Sequence, residues 1–359
     1  MDKITEWAAE RDDRAIRFTG NWREYLPIAA TNLLLMIVTL GIYRFWATAR
    51  ERRYLWSRTR VIDDTLEWTG TGKEMFLGFL IVIAVIAPFF LFIQFLFPAL
   101  VARGKAEAAA GILMLMYIAI LYLVGFARFR ALRYRLSRTL WHGIRGGSDD
   151  PGWNYGGEWL GRYALVGMTL FIMFPWATTR LWNSRWNAMS FGPLQFRATL
   201  DAEGLKARWA LIYLLPLGLL FATMMGAVAV GVSGGMMDGG FAALLIGFLV
   251  AFYIGIPLAT LHWFAKFYRR AAEETKLGDL EFEFDATTLQ WLGLFLGNLA
   301  LAIVTLGFGM MFWGYRNWSF VIRHSRIYGS VDLGDLTQSK THAPREAEGF
   351  ADAFDVGAI

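Results

Sequence analysis

The sequence predicts an all-α polytopic membrane protein, a helical bundle built from internal repeats with small cytoplasmic β-strands after the helix exits. Three observations carry this reading: long uncharged runs, aromatic residues at their ends, and a residue pattern that recurs along the chain. Apolar residues make up 56% of the 359 residues and charged residues 18%, against about 45–50% and about 25% in soluble domains. Seven apolar runs stand out, at 25–43, 75–101, 108–127, 163–179, 209–232, 241–265 and 289–314. The second, third, fifth and sixth are long enough to cross roughly 30 Å of hydrocarbon at about 1.5 Å per residue. Backbone groups in lipid must be satisfied within the segment, so these runs are helices rather than buried strands. Many of the 16 Trp and 13 Tyr sit near run ends, Trp46, Trp68, Trp153 and Trp176 among them. Amphipathic rings favour that headgroup zone.

The polar segment 1–24 mixes acids and bases and lacks the apolar centre of a cleavable signal peptide. The membrane domain is assigned to 25–335, and the polar tail 336–359 is expected to be disordered. Cysteine is absent, which excludes disulfides and thiolate metal sites. The net charge of +5 comes with bases that flank apolar runs. The partners expected are therefore the lipid bilayer and anionic headgroups on the cytoplasmic face, not nucleic acid. Oligomeric state leaves no trace in the sequence.

The recurrence has a constant offset of 266 between the two ends of the chain. Phe18, Asn32, Thr39-Leu40-Gly41, Arg50 and Arg60 match Phe284, Asn298, Thr305-Leu306-Gly307, Arg316 and Arg326. A middle copy at an offset of 130 keeps Trp176-Ala177-Thr178 and Arg180, places Arg162 where Asn32 stands, and loses the Thr-Leu-Gly element. A shorter echo of Arg50, Tyr54 and Ser57-Arg58-Thr59 follows the third run as Arg130, Tyr134 and Ser137-Arg138-Thr139. Short alternating stretches come next, Leu66-Glu67-Trp68, Leu194 to Arg197 and Leu280 to Phe284, and period-two alternation reads as half-buried strand. Phe18-Thr19-Gly20, Asn32, Thr39 to Tyr43, Trp46, Arg50 and Tyr54, echoed near the C-terminus, resemble the YjgN-like family of uncharacterised bacterial inner-membrane proteins. The resemblance covers roughly 16–335 and implies a multi-pass inner-membrane location; it implies no reaction.

Charge bears on topology. Seven crossings would divide the Lys and Arg almost evenly between the two sides, against the usual excess of bases on the cytoplasmic side. If only the second–third and fifth–sixth pairs cross, 2 of the 35 bases, Arg103 and Lys105, lie outside. Runs 25–43, 163–179 and 289–314 would then turn back, and they carry the breakers and polar groups that suit a return: Pro27, Asn32, Arg162, Pro175 and Asn298. The alternative is that all seven cross.

No catalytic constellation can be assembled, so an enzyme is not expected. The four histidines are scattered, and the glycine-rich 231–240 lacks the strand, Lys and Ser/Thr of a phosphate loop. No cofactor or metal is implied. The candidate sites are the intramembrane polar positions Asn32, Asn298 and Arg162, and a basic cluster suited to headgroups: Arg50, Arg52, Arg53, Arg58 and Arg60. Asn is also common glue between helices, and the bases also serve as simple topology anchors. A transporter- or channel-like protein for a small solute or lipid is the leading expectation; a non-catalytic scaffold or envelope-associated protein is the alternative.

Overall fold

In the computed structural model of the protein, residues 6–9, 15–233, 239–332 and 337–342 are described. The centre of the glycine-rich turn, 234–238, and the tail from 343 onward lie outside them, as does most of 1–14.

Strands and helices alternate in units. After β1 (Glu6–Ala9) and β2 (Ile16–Phe18) come α1 (Trp22–Val38) and α2 (Arg44–Ser57), then β3 (Thr59–Val61), β4 (Asp64–Thr65) and β5 (Glu67–Trp68). The first long hairpin is α3 (Gly72–Leu91), a π-helical turn at Phe92–Leu96, α4 (Phe97–Ala102) and α5 (Ala106–Arg138). Next are β6 (Thr139–Trp141), β7 (Ile144–Gly147), α6 (Trp153–Met168), α7 (Phe174–Asn187), β8 (Ser190–Phe191) and β9 (Leu194–Ala198). The second long hairpin is α8 (Lys206–Ser233), α9 (Gly239–Val250), a π-helical turn at Ala251–Gly255 and α10 (Ile256–Glu273). The chain ends with β10 (Thr275–Leu277), β11 (Leu280–Phe284), α11 (Thr288–Val304), a 3-10 turn at Phe308–Phe312, α12 (Trp313–Arg323) and β12 (Ser325–Asp332).

Every helical hairpin is bracketed by a strand pair. β2 with β3 encloses α1–α2, β5 with β6 encloses α3–α5, and β7 with β8 encloses α6–α7. β9 with β10 encloses α8–α10, and β11 with β12 encloses α11–α12. Two-residue turns at 62–63, 142–143, 192–193 and 278–279 join the strands of successive units, with positive φ at Ile62, His142, Gly143, Gly192 and Gly278. Such turns match the twist of paired strands.

The expected all-α bundle with separate small strands is thereby corrected. The strands form one nine-stranded antiparallel sheet, ordered β1-β12-β11-β10-β9-β8-β7-β6-β5, and a second sheet, β2-β3-β4. Segment 64–68 passes from one sheet to the other at Leu66. The sequence conceals this because strands of two to five residues show scarcely one period of alternation, and the pairings that join successive turns into one sheet lie across entire helical hairpins. The sheet curls round a shared core that includes Trp141, Met189, Phe196, Leu277, Leu280 and Ile327, and Ile16 and Val61 of the second sheet pack against it.

Both ends of every hairpin therefore lie at one of the two sheets, and α1, α6 and α11 each reverse into a returning helix. At 16–17 residues they run about 25 Å. Their turns share one backbone: Thr39, Leu40 (φ 50°) and Gly41 (φ 90°) correspond to Thr305, Leu306 (φ 52°) and Gly307 (φ 94°). Thr169, Leu170 (φ 50°) and Phe171 (φ 67°) make the same turn without glycine. Amides of Gly41, Phe171 and Gly307 donate five residues back, to Met36, Val166 and Ala302, a left-handed helix stop. Oγ1 of each Thr accepts from the amide that opens the return, at Tyr43, Met173 and Gly309. The spanning helices start against these short hairpins. A Cβ on Gly72 would meet Trp46, and the Trp209 indole N–H donates to the Phe171 carbonyl at 2.7 Å. Four helical stretches, Gly72–Ala102, Ala106–Arg138, Lys206–Ala229 and Leu245–Glu273, are long and apolar enough to cross a membrane.

Candidate functional site

Asn32 and Asn298 each tie the outgoing helix of a short hairpin to its return, and Arg162 does so only through Glu158. Asn32 is buried on α1, and its amide donates to the Ala47 carbonyl of α2 at 3.3 Å, leaving its own Oδ1 without a partner. Asn298 on α11 donates to Asn317 at 2.9 Å and accepts from Arg316 Nε at 2.7 Å, both on α12. Arg162 pairs with Glu158 one turn back, and Glu158 also accepts from Ser184 of α7. The three positions do not meet in one place.

The basic cluster divides. Arg52 is buried, its guanidinium 4.9 Å from the centre of the Trp68 ring. Arg50, Arg53, Arg58 and Arg60 are exposed. Arg58 pairs with Glu24 at 2.8 Å, and Arg53 donates to the Gly70 carbonyl at 3.4 Å. Histidines find carboxylates only through the sheet. His142 lies 2.8 Å from Asp63 on the neighbouring turn, and His342 lies 3.3 Å from Asp149. Residues 337–342 run along the edge of this region, with the Gln338 side chain donating to Gly143 and Arg145 donating to the Thr341 carbonyl. Among the described residues no group of three or more His, Asp or Glu gathers as a metal site.

A large hollow lies inside the curled sheet. It has a volume of about 350 Å³ and is walled by apolar side chains, among them Ile144, Leu194, Phe196, Leu277, Phe282 and Ile327. Period-two geometry puts Leu280 and Phe282 on its wall while Glu281 turns outward to Lys276, 2.6 Å away.

A second chamber of about 300 Å³ adjoins it, between α5, α6, α7 and α10. Its walls carry Arg128, Tyr155, Tyr163, Thr178, Arg185 and Tyr268, with Trp159, Phe174, Phe264 and Phe267 around them. Trp182 lies in the wall of both spaces, its indole N–H donating to Thr275 at 3.0 Å. A third space of about 240 Å³ shares Trp182 and Tyr268 with the chamber and Phe282 and Ile327 with the hollow.

The chamber's electrostatics are unusual. Arg185 is 4% exposed, and its Nε and Nη1 are buried without a hydrogen-bond partner. Arg128 Nε is in the same state. Each guanidinium lies near an aromatic ring, Arg128 5.0 Å from the centre of Trp159 and Arg185 5.7 Å from Trp182, so cation–π attraction offsets part of their desolvation. Burial pushes the Arg185 pKa down and the charge of Arg128 adds to this, opposed by Tyr155. Burial likewise raises the Tyr155 and Tyr163 hydroxyls above the ordinary tyrosine value. A buried unsatisfied donor typically costs about 1–3 kcal/mol.

Sequence reasoning passed over Arg128 and Arg185. A signal existed for the second: Arg185 stands where the end copies have Leu55 and Val321. A base on the inward face of a short helix is worth notice.

Four membrane-length helices rooted in a cavity-bearing sheet define a multi-pass membrane protein, and its location is the bacterial inner membrane. The chain belongs to the family described as bacterial protein of unknown function (DUF898), whose pattern matches residues 13–353. It is similar to inner membrane protein YjgN of Escherichia coli O157:H7, 29% identical over 128 residues, 36% of this chain and 29% of the relative. It is also similar to inner membrane protein YjgN of Salmonella typhimurium strain LT2, 25% identical over 138 residues, 38% of this chain and 32% of the relative. The match thus spans about a third of the length of each relative. No solved structure matches the chain.

Proposed function

We propose that this protein takes a lipid-like molecule from the bilayer into the hollow of its sheet and moves it between membrane and cytoplasmic face, acting in transport rather than as a scaffold. The observation that carries this reading is the apolar hollow itself. Apolar interiors ordinarily pack without voids larger than a water molecule. A space of about 350 Å³ with apolar walls suits an acyl or isoprenoid chain and does not suit a hydrated ion. The similarity among the hairpin units, read as internal repeats, fits four helical hairpins that deliver their strands to the nine-stranded sheet and a fifth, α1–α2, that delivers its strands to the sheet beside it. The positive-inside rule favours a cytoplasmic sheet, since among the described residues only Arg103 and Lys105 of the Lys and Arg stand at an outer tip. Anionic headgroups then meet Arg50, Arg53 and Arg60 at the sheet-side surface.

The test compares wild type with Leu194→Trp, which fills the hollow. Native mass spectrometry of the detergent-purified protein is expected to show bound lipid on the wild type and its loss in the variant. Proteoliposomes carrying wild type should move a fluorescent lipid analogue between leaflets faster than those carrying the variant. Bound lipid with equal movement in both would favour the scaffold reading. A wild type free of lipid would end the proposal.

A further inference from the structure

We propose that Arg128 and Arg185 form an anion site that receives a phosphate group, the headgroup of a lipid held in the hollow or a free phosphate. The inference rests on the reading above and names the chemistry of the charged end. It starts from a mismatch: two guanidiniums face one chamber whose walls hold no carboxylate. The acids on the four helices that build it are few. Glu158 is engaged by Arg162 and Ser184, Glu107 lies at the far end of α5, and Glu273 closes the last turn of α10. Arginine keeps its charge in protein interiors. The chamber thus holds at least two positive charges with no protein anion against them.

The donor inventory points to phosphate. Nε and Nη1 of Arg185 and Nε of Arg128 lack partners. Tyr155, Tyr163 and Tyr268 share the chamber wall. Two guanidiniums and three tyrosines border the chamber, a wall rich in donors and free of carboxylate. The oxygens of a phosphate can accept from several such donors at once, and guanidinium forks match phosphate geometry. The placement suits an amphiphile. Trp182 separates the charged chamber from the apolar hollow, so a phosphate on Arg185 would leave its apolar chain one indole away from the sheet interior. Rigid packing holds the chamber in shape: a Cβ on Gly125 would come within 2.3 Å of Trp159, so α5 and α6 are in contact one turn from Arg128.

The experiment uses the full chain in detergent, with Arg185→Met, Arg128→Met and Tyr268→Phe beside wild type. Three probes are titrated by native mass spectrometry and thermal shift: a short-chain phosphatidic acid, a diacylglycerol of the same chains, and inorganic phosphate. Wild type should bind the phosphatidic acid at least about tenfold more tightly than the diacylglycerol, a difference of about 1.4 kcal/mol. Each Arg→Met change should remove that preference, and the ligand-free variants should melt no lower than wild type because an unpaired buried charge has been taken away. If an Arg variant does not fold, Tyr268→Phe still reads the site through a smaller loss of the same preference. Protection by inorganic phosphate equal to that by phosphatidic acid would identify free phosphate as the ligand. Undiminished preference in both Arg variants, or none in wild type, overturns the inference. The hollow is judged separately. Diacylglycerol bound to wild type but not to Leu194→Trp upholds it even if the phosphate preference fails, and phosphate protection without diacylglycerol binding does the reverse.

Discussion

The three short-hairpin turns show how one residue sets a backbone's cost. Gly41 and Gly307 occupy positive φ at no steric penalty, whereas Phe171 holds φ 67° with a side chain attached. Residues forced into that region carry strain of about 1–3 kcal/mol. Phe171→Gly is therefore expected to raise the melting free energy by about 1 kcal/mol, and Gly307→Ala to lower it by a similar amount, both read by thermal melts in detergent. The middle copy lacks only the glycine of the Thr-Leu-Gly element, since Thr169 and Leu170 stand at the matching positions, and the turn survives because hydrogen bonds such as that to Thr169 Oγ1 keep it without glycine. The asparagines divide similarly. Asn298→Leu leaves Arg316 Nε without its acceptor and should cost about 1–3 kcal/mol. Asn32→Leu removes one bond of 3.3 Å and an unsatisfied oxygen, and the melt should move less. Acid should act at Asp149. Hydrogen bonds from the His342 amide and ring depress its pKa, opposed slightly by desolvation. A depressed carboxylate stabilises the docked 337–342 segment above its unfolded pKa of about 3.9 and loses that contribution as pH falls through the lower folded value. The protection factor of the His342 amide should therefore hold near neutrality and fall only below about pH 4.

Among the elements, the long helices were plain from composition and the short strands only half visible. The period-two pattern marked Leu280 to Phe284 and Leu194 to Arg197 as strands, yet nothing local to either says that Phe196 lies opposite Leu277, or Phe282 opposite Ile327. Those pairings are decided by where two helical hairpins leave their ends. Helix contacts have the same character. Gly125 falls inside an apolar run and reads as ordinary membrane glycine, while in the fold it admits the Trp159 side chain. Gly125→Leu should push α6 away from α5 and cost about 1–3 kcal/mol. The same substitution at Gly111, with open space around its Cβ, should be nearly silent in the same melt.

For the whole molecule, the uneven placement of Lys and Arg was the strongest topological signal in the sequence, and the strand pairs give its reason. A hairpin whose two ends are hydrogen-bonded to each other cannot deposit them on opposite sides of a bilayer. The absence of cysteine makes this testable with single thiols. Lys105→Cys, exposed at the first outer tip, should react with an impermeant maleimide in intact cells. Gln195→Cys, exposed on β9, should react only after the cells are opened. The opposite pattern would turn the molecule over, and labelling of both in intact cells would contradict the bracketed hairpins.

The strand order has a consequence for biosynthesis. From β5 to β12 each strand neighbours the one made just before or just after it, so each newly inserted hairpin can add its strand to an edge that already exists. Assembly can keep pace with the ribosome and rarely waits for a distant partner, a low-contact-order route for a β-structure. One ladder departs from this rule: Glu6 pairs with Asp332. β1 must wait for β12, so this edge ladder forms only after the strands between them have been laid down.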